Sequence, residues 1–316
     1  MGFVLPPGAF RVLLAFAVVA AHITDLNIGR LAVMMFFFLS GFWIADIWAK
    51  RFGPSSVGRF YLSRYLRIAP LFVIATGLAV WLRQAPADLN TFNLLGLASR
   101  GPHPTPVAWS LDIELQFYLL APVLLALLTR APWLTLAGSL PVLAFGYWLH
   151  GEHGAFTVLK YLPAFLLGAL TFQLDWRPSR RLALISLGAF LAVSAGLAFT
   201  PLFWKTAAQG TPRDLYAMIW MLPLLPYMAH SLRIKSSPFD RVLSDLTYPL
   251  YLIHPLVIYL AHQYVDGMAL KAAAVVVSTL VAAALLGIDR PIDAWRRRVT
   301  EGAPAPARRA VGADHA

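Results

Sequence analysis

Residues Leu31 to Ala49 read L-A-V-M-M-F-F-F-L-S-G-F-W-I-A-D-I-W-A, an apolar run whose one charge is Asp46. Coiled as a helix rising 1.5 Å per residue, it reaches roughly 28 Å, close to the thickness of a bilayer's hydrocarbon core. Its length favours a helix over a buried strand, and its near lack of charge favours lipid over a soluble core. Working outward, the same reading applies to 9–23 before it and to 66–82, 107–128, 133–149, 157–173, 182–199, 214–231, 242–264 and 269–288 after it. Ten such spans at about twenty residues each occupy about 200 of the 316 residues. The expectation is an all-α fold, a polytopic transmembrane bundle of about ten helices. Residues 1–300 form one membrane domain, and 301–316, rich in Ala, Pro and Arg, form a disordered tail.

Composition agrees and removes several function classes. Only 13% of residues are charged, against about a quarter in soluble domains, and 59% are apolar or aromatic. With no cysteine, the chain can build neither a disulfide, nor a thiolate metal site, nor an acyl-thiol intermediate. None of Lys50, Lys160, Lys205, Lys235 or Lys271 follows a glycine, so a phosphate-binding GxxxxGK[ST] loop is absent; so are a G-x-S-x-G elbow and an H-E-x-x-H zinc helix. No metal is expected. The net charge of +11 would fit nucleic acid, but its distribution fits a membrane better. With the N-terminus inside, nineteen of the 26 lysines and arginines fall at inner ends, and seven (Arg30, Arg83, Arg100, Lys160, Lys205, Arg213, Lys271) lie outside. Both termini are therefore expected in the cytoplasm of a multi-pass protein of the cell membrane, of bacterial inner-membrane type, with the lipid bilayer as partner and no nucleic acid. Val12 to Ala21 has the length of a signal-peptide core, but one arginine makes a poor charged n-region, so a membrane span is expected there instead.

Polar groups inside spans are costly in hydrocarbon and mark function. Arg11 and His22 stand eleven residues apart, three helical turns plus about 20°, so they share a face and lie roughly 16 Å apart. Arg11 is thereby set near the cytoplasmic boundary, as an anchor or a ligand contact, and His22 well towards the outer one. Imidazole, with an ordinary pKa of about 6.5, is the default general base for a hydroxyl, and Asp25, one turn on, could orient it. Arg64 and Arg67, at i and i+3, serve either as membrane anchors or as a two-fork phosphate clamp. Glu114 shares a face with Ser110, Phe117 and Tyr118 and, being costly against lipid, points to protein or water, either in an ion pair with a buried arginine or at a site. Trp109, Ser110 and Tyr118 beside it are candidate substrate contacts, as is His254 in the middle of its span. Ser40 and Gly41 read as close-packing residues.

Five motifs in order resemble the membrane acyltransferase family 3: R-x10-H at Arg11 and His22, F-F-F-L-S-G-F at Phe36 to Phe42, R-x-x-R-I-x-P at Arg64 to Pro70, W-S-L-x-x-E-x-Q-F-Y at Trp109 to Tyr118, and T-Y-P-L-Y-L-I-H-P at Thr247 to Pro255. The resemblance implies an acyltransferase domain over residues 1–300 and transfer of an acyl group, most often acetyl, from cytosolic acetyl-CoA (acyl-CoA). The receiving group is a hydroxyl of an extracytoplasmic carbohydrate or lipid-linked glycan acceptor. By it, His22 and Arg11 are the matched catalytic pair, Arg64 and Arg67 the pair near the donor site, and Glu114 the matched carboxylate. The chain departs from the pattern at Leu115, Asp112 and Pro249. His22 would act as base or as a transient acyl carrier. A secondary transporter or flippase for a lipid-linked sugar is the alternative, since ten helices with intramembrane charge fit that as well.

Overall fold

The structure, a computed structural model, describes residues 4–92, 103–204 and 213–301. Among these, the helices are α1 (Pro7–Ile23), α2 (Ile28–Ile47), α3 (Val57–Arg83), α4 (Ala108–Arg130), α5 (Pro132–His153), α6 (Leu162–Gln173), α7 (Arg180–Ala198), α8 (Arg213–Met221), α9 (Leu225–Ser231), α10 (Pro238–Ala261) and α11 (Gly267–Glu301). No strand forms among the described residues; Leu26 and Trp204 make an isolated bridge. The ten expected stretches are helical over most of their length. Five helical segments, Ile28–Phe52, Pro54–Arg83, Ala108–Arg130, Arg180–Ala198 and Gly267–Glu301, are long and apolar enough to cross a membrane, and Pro7–Ile23 and Val158–Gln173 are shorter apolar helices.

Two expectations need correction. The stretch 214–231 is not one helix: a 3-10 turn at Leu222–Leu224 separates α8 from α9, because Pro223 and Pro226 have no N–H to continue the ladder. The last helix does not stop near 288 but runs to Glu301, so the expected tail gives up its first residue to α11 and its remainder lies outside the described residues.

Backbone contact ties the core together. A Cβ on Gly41 would sit 1.9 Å from the Phe165 carbonyl oxygen, and one on Gly168 only 1.8 Å from that of Phe38. Each glycine thus lets α2 and α6 touch main chain to main chain, and Phe37, Phe117 and Phe165 stack beside the seam with ring centroids 4.5 and 4.1 Å apart. The junction of α1 with α10 is as close: a Cβ on Gly8 would meet the Asp240 carbonyl oxygen at 1.9 Å. The Asp240 carboxylate accepts from Gly8 N–H (3.1 Å) and Ala9 N–H (2.7 Å), capping the otherwise orphaned first turn of α1. By contrast, α5 buries only Ser139 and Gly146 and α7 only Ala183 and Ser186. Leu134, Leu140, Ile185 and Leu191 on these helices stay exposed, a surface suited to lipid tails.

Ion pairs gather at both ends of the bundle. At one end meet the start of α1, α3 and α10 and the finish of α2 and α11, joined by Arg51–Glu301, Arg67–Asp289 and Arg290–Asp245. At the other end Asp214 holds both Arg30 and Lys160 at 3.0 Å and accepts from Tyr161 at 2.9 Å, and Arg83 donates to the Pro104 carbonyl at 2.7 Å.

Candidate functional site

A cavity of about 400 Å³ opens between α1, α2, α3, α4, α10 and α11. Its wall includes Arg11, Arg64, Arg67, Ser110, Glu114 and Tyr118, six of the residues singled out from sequence. Arg51, Arg241, Arg296 and Arg297 also line it, opposed by the carboxylates of Glu114, Asp293 and Glu301, so cations are in excess. Along α10 the lining runs from Arg241 to Tyr251, which at ten residues is roughly 15 Å of depth.

The arginines are not equivalent. Arg67 donates to both oxygens of Asp289 at 3.1 Å, lies 4.0 Å from Asp293, and rests over the Tyr248 ring at 5.3 Å. Arg64, which is 7% exposed, gives one bond to Ser63 Oγ (3.1 Å), leaves its Nε without a partner, and makes no ion pair among the described residues. Arg296 shares Ser63 Oγ (2.5 Å) while pairing with Asp293 and Glu301, both at 2.9 Å. Arg11 donates to Ser244 Oγ at 3.0 Å and likewise makes no ion pair among the described residues. The expected two-arginine clamp is therefore split. Arg67 is neutralised by α11, whereas Arg64 and Arg11 present guanidinium groups with no carboxylate of their own, the state in which an anion's oxygens find the strongest partner.

Among the described residues Glu114 makes no ion pair. One of its oxygens accepts from Ser40 Oγ at 2.7 Å and from the Tyr118 hydroxyl. Ser40, read from sequence as packing, thus faces the cavity with the carboxylate, and Gly41 does the packing. At the end of the cavity away from Arg241, Ser110 Oγ donates to the Val107 carbonyl (3.0 Å) and lies 2.5 Å from Tyr251 Oη. Serine has one hydroxyl proton, so the tyrosine is the donor of that second bond. Tyr251 was not singled out from sequence, where it is one aromatic among many. Its proximity to a serine 141 positions away is purely tertiary.

His22, His254, Asp25 and Trp109 lie outside this wall. Like Arg11, His22 turns to α10: its ring is 4.9 Å from that of His254, edge to face, as the shared helix stripe requires. His254 lies one turn beyond Tyr251, with ring centroids 6.0 Å apart. The histidines therefore stand just past the blind end of the cavity, not within it. His22 Nδ1 is 2.8 Å from the Val18 carbonyl. A carbonyl only accepts, so Nδ1 carries the hydrogen and Nε2 the lone pair. The orienting role expected of Asp25 presumed that it stands one helical turn on; α1 ends at Ile23, Thr24 is extended and Asp25 is exposed. Trp109 faces the outer end instead, with Arg30 stacked on it at 4.2 Å and Phe37, Phe156 and Tyr161 around it. Among the described residues no group of three His, Asp or Glu side chains is arranged to hold a metal.

Comparison with known proteins points one way. A family profile described as an acyltransferase domain matches residues 8–288. The chain is similar to "Nodulation protein 10" of Rhizobium leguminosarum bv. viciae, 28% identical over 285 residues, covering 74% of this chain and 73% of the relative. It is also similar to "Acyltransferase MdmB" of Streptomyces mycarofaciens, 27% identical over 289 residues, covering 78% and 72%. No solved structure matches it.

Proposed function

The chain belongs to the membrane acyltransferase family 3, and from that premise we propose that it moves an acetyl group from cytosolic acetyl-CoA to a hydroxyl of an extracytoplasmic carbohydrate or lipid-linked glycan. The observation that carries this reading is the cavity. Its mouth holds Arg11 and Arg64, without carboxylate partners among the described residues, and its blind end stops one helical turn short of His22 and His254. The donor's phosphates suit the arginine forks. Its thin pantetheine arm suits a passage roughly 15 Å long.

In this reading the bundle has ten spans and both termini lie in the cytoplasm, as the charge bias supports. His22 Nε2, left basic by the Val18 contact, either takes the acceptor hydroxyl's proton or carries the acyl group briefly; both routes use the same nitrogen. Glu114, with Ser40 and Tyr118, lines the path of the arm, and the Tyr251 to Ser110 bond closes its end until the thioester arrives.

The test is transfer of labelled acetyl from acetyl-CoA to surface glycans or lipids by protein reconstituted in vesicles, with mass spectrometry of the products. His22→Ala should abolish transfer while leaving membrane level and thermal stability intact. Near-normal acetylation by that variant would remove His22 from the chemistry, and movement of an unaltered substrate would replace transfer with transport.

A further inference from the structure

Acyl transfer between two sides of a membrane has a proton problem. The acceptor hydroxyl loses its proton on the outer side, while the thiolate that departs with coenzyme A retreats into the inner cavity. A base that stays beside the acceptor does not follow the sulfur as it withdraws. The residue between them is His254. It lies on α10 one turn beyond cavity-lining Tyr251, is 0% exposed, and faces His22 with ring centroids 4.9 Å apart.

Its hydrogen bonding has a direction. Nδ1 is 3.2 Å from the Leu250 carbonyl and so carries the hydrogen, leaving the lone pair on Nε2. That Nε2 is buried with no partner among the described residues. A buried acceptor left unsatisfied is costly, and in a native protein it calls for a functional account. His22, by its bond to Val18, presents the same tautomer. The two imidazoles are thus alike, each with its lone pair on Nε2, and their rings meet edge to face.

We infer that His254 is a proton relay between His22 and the departing thiolate, an inference that rests on the acyltransfer reading above. The acceptor hydroxyl gives its proton to His22 Nε2 as its oxygen bonds to the thioester carbonyl carbon. The carbon–sulfur bond breaks and its electron pair leaves on sulfur. The proton passes from His22 Nε2 to His254 Nε2 and on to the sulfur, giving ester, free thiol and two neutral imidazoles. Pro255, next along α10, lacks the N–H that would hold the Tyr251 carbonyl, which loosens the helix where the relay must adjust.

The experiment compares wild type, His254→Gln and His254→Ala, reconstituted and assayed with acetyl-CoA. Glutamine reaches the place of Nε2 and accepts a hydrogen bond, but it cannot take up and pass on a proton. Both variants should lose on the order of 100-fold in kcat with KM for acetyl-CoA within about twofold. A glutamine variant within about threefold of wild type would overturn the relay, as would a raised KM at unchanged kcat. A wild-type protein inert towards acetyl-CoA would overturn relay and acyltransfer together, whereas an active wild type with an active glutamine variant overturns the relay alone.

Discussion

Arg64 and Arg67 are adjacent on one face of α3 and indistinguishable by spacing, yet their surroundings assign them opposite work. Among the described residues Arg64 has no carboxylate partner, so on the proposed reading its guanidinium is the one that meets an anionic ligand. Arg64→Lys should raise KM for acetyl-CoA roughly tenfold with little change in melting temperature, because a point charge loses the planar fork; an unchanged KM would remove Arg64 from the donor site. Arg67→Ala should act on folding, leaving the Asp289 carboxylate buried and uncompensated at a cost on the order of 2 kcal/mol. The Arg67→Ala/Asp289→Ala pair should recover much of that loss in a thermal unfolding assay. The sequence displayed both arginines but not this difference, since the deciding carboxylate lies 222 positions away. His22 and Arg11 were legible because helix periodicity alone puts them on one face. The spacing argument for Asp25 assumed a helix continuing past Ile23, where α1 ends.

At the level of helices, apolar runs gave away most elements, and small residues marked the closest seam. Gly41 and Gly168 each abut a carbonyl oxygen on the partner helix, so Gly168→Val should prevent α2 and α6 from seating and yield no monodisperse protein in detergent size-exclusion chromatography. Gly188 on α7 has open space where a Cβ would go, and Gly188→Ala should be neutral or stabilising by about 0.5–1 kcal/mol from helix propensity. If both variants behave alike, close backbone packing is not what holds the seam. The misread elements have physical causes. Hydropathy averages over Pro223 and Pro226 and so missed the break between α8 and α9. It also falls to water-like values after 288, although α11 stays helical to Glu301 because Asp293 pairs with Arg296 and Arg297 at helical spacing and Glu301 reaches Arg51. Those carboxylates supply much of the cavity's rim, which is why the rim was invisible to a search confined to apolar runs.

Across the whole molecule, the division of charge between two ends was readable from sequence, and its orientation in a membrane can be tested directly. The chain has no cysteine, so a single introduced thiol reports its own location without background. Arg59→Cys, exposed at the cavity end, should react with an impermeant maleimide only from the cytoplasmic side, and Tyr264→Cys, 84% exposed at the far end, only from outside. Labelling of both from one face would break the ten-span arrangement, and labelling with the two sides exchanged would invert it. What the sequence could not show is how six helices enclose one space, since each contributes residues scattered along the chain. The uneven pairing of the arginines also bears on turnover. If Arg11 and Arg64 grip the donor as proposed, they grip a part of it that is the same before and after reaction, so they hold the spent carrier as firmly as the loaded one and do nothing to favour the transition state. On the proposed reading, emptying the cavity is then a slow step, free coenzyme A competes with its own acetylated form, and added salt, by weakening that grip, speeds the exchange.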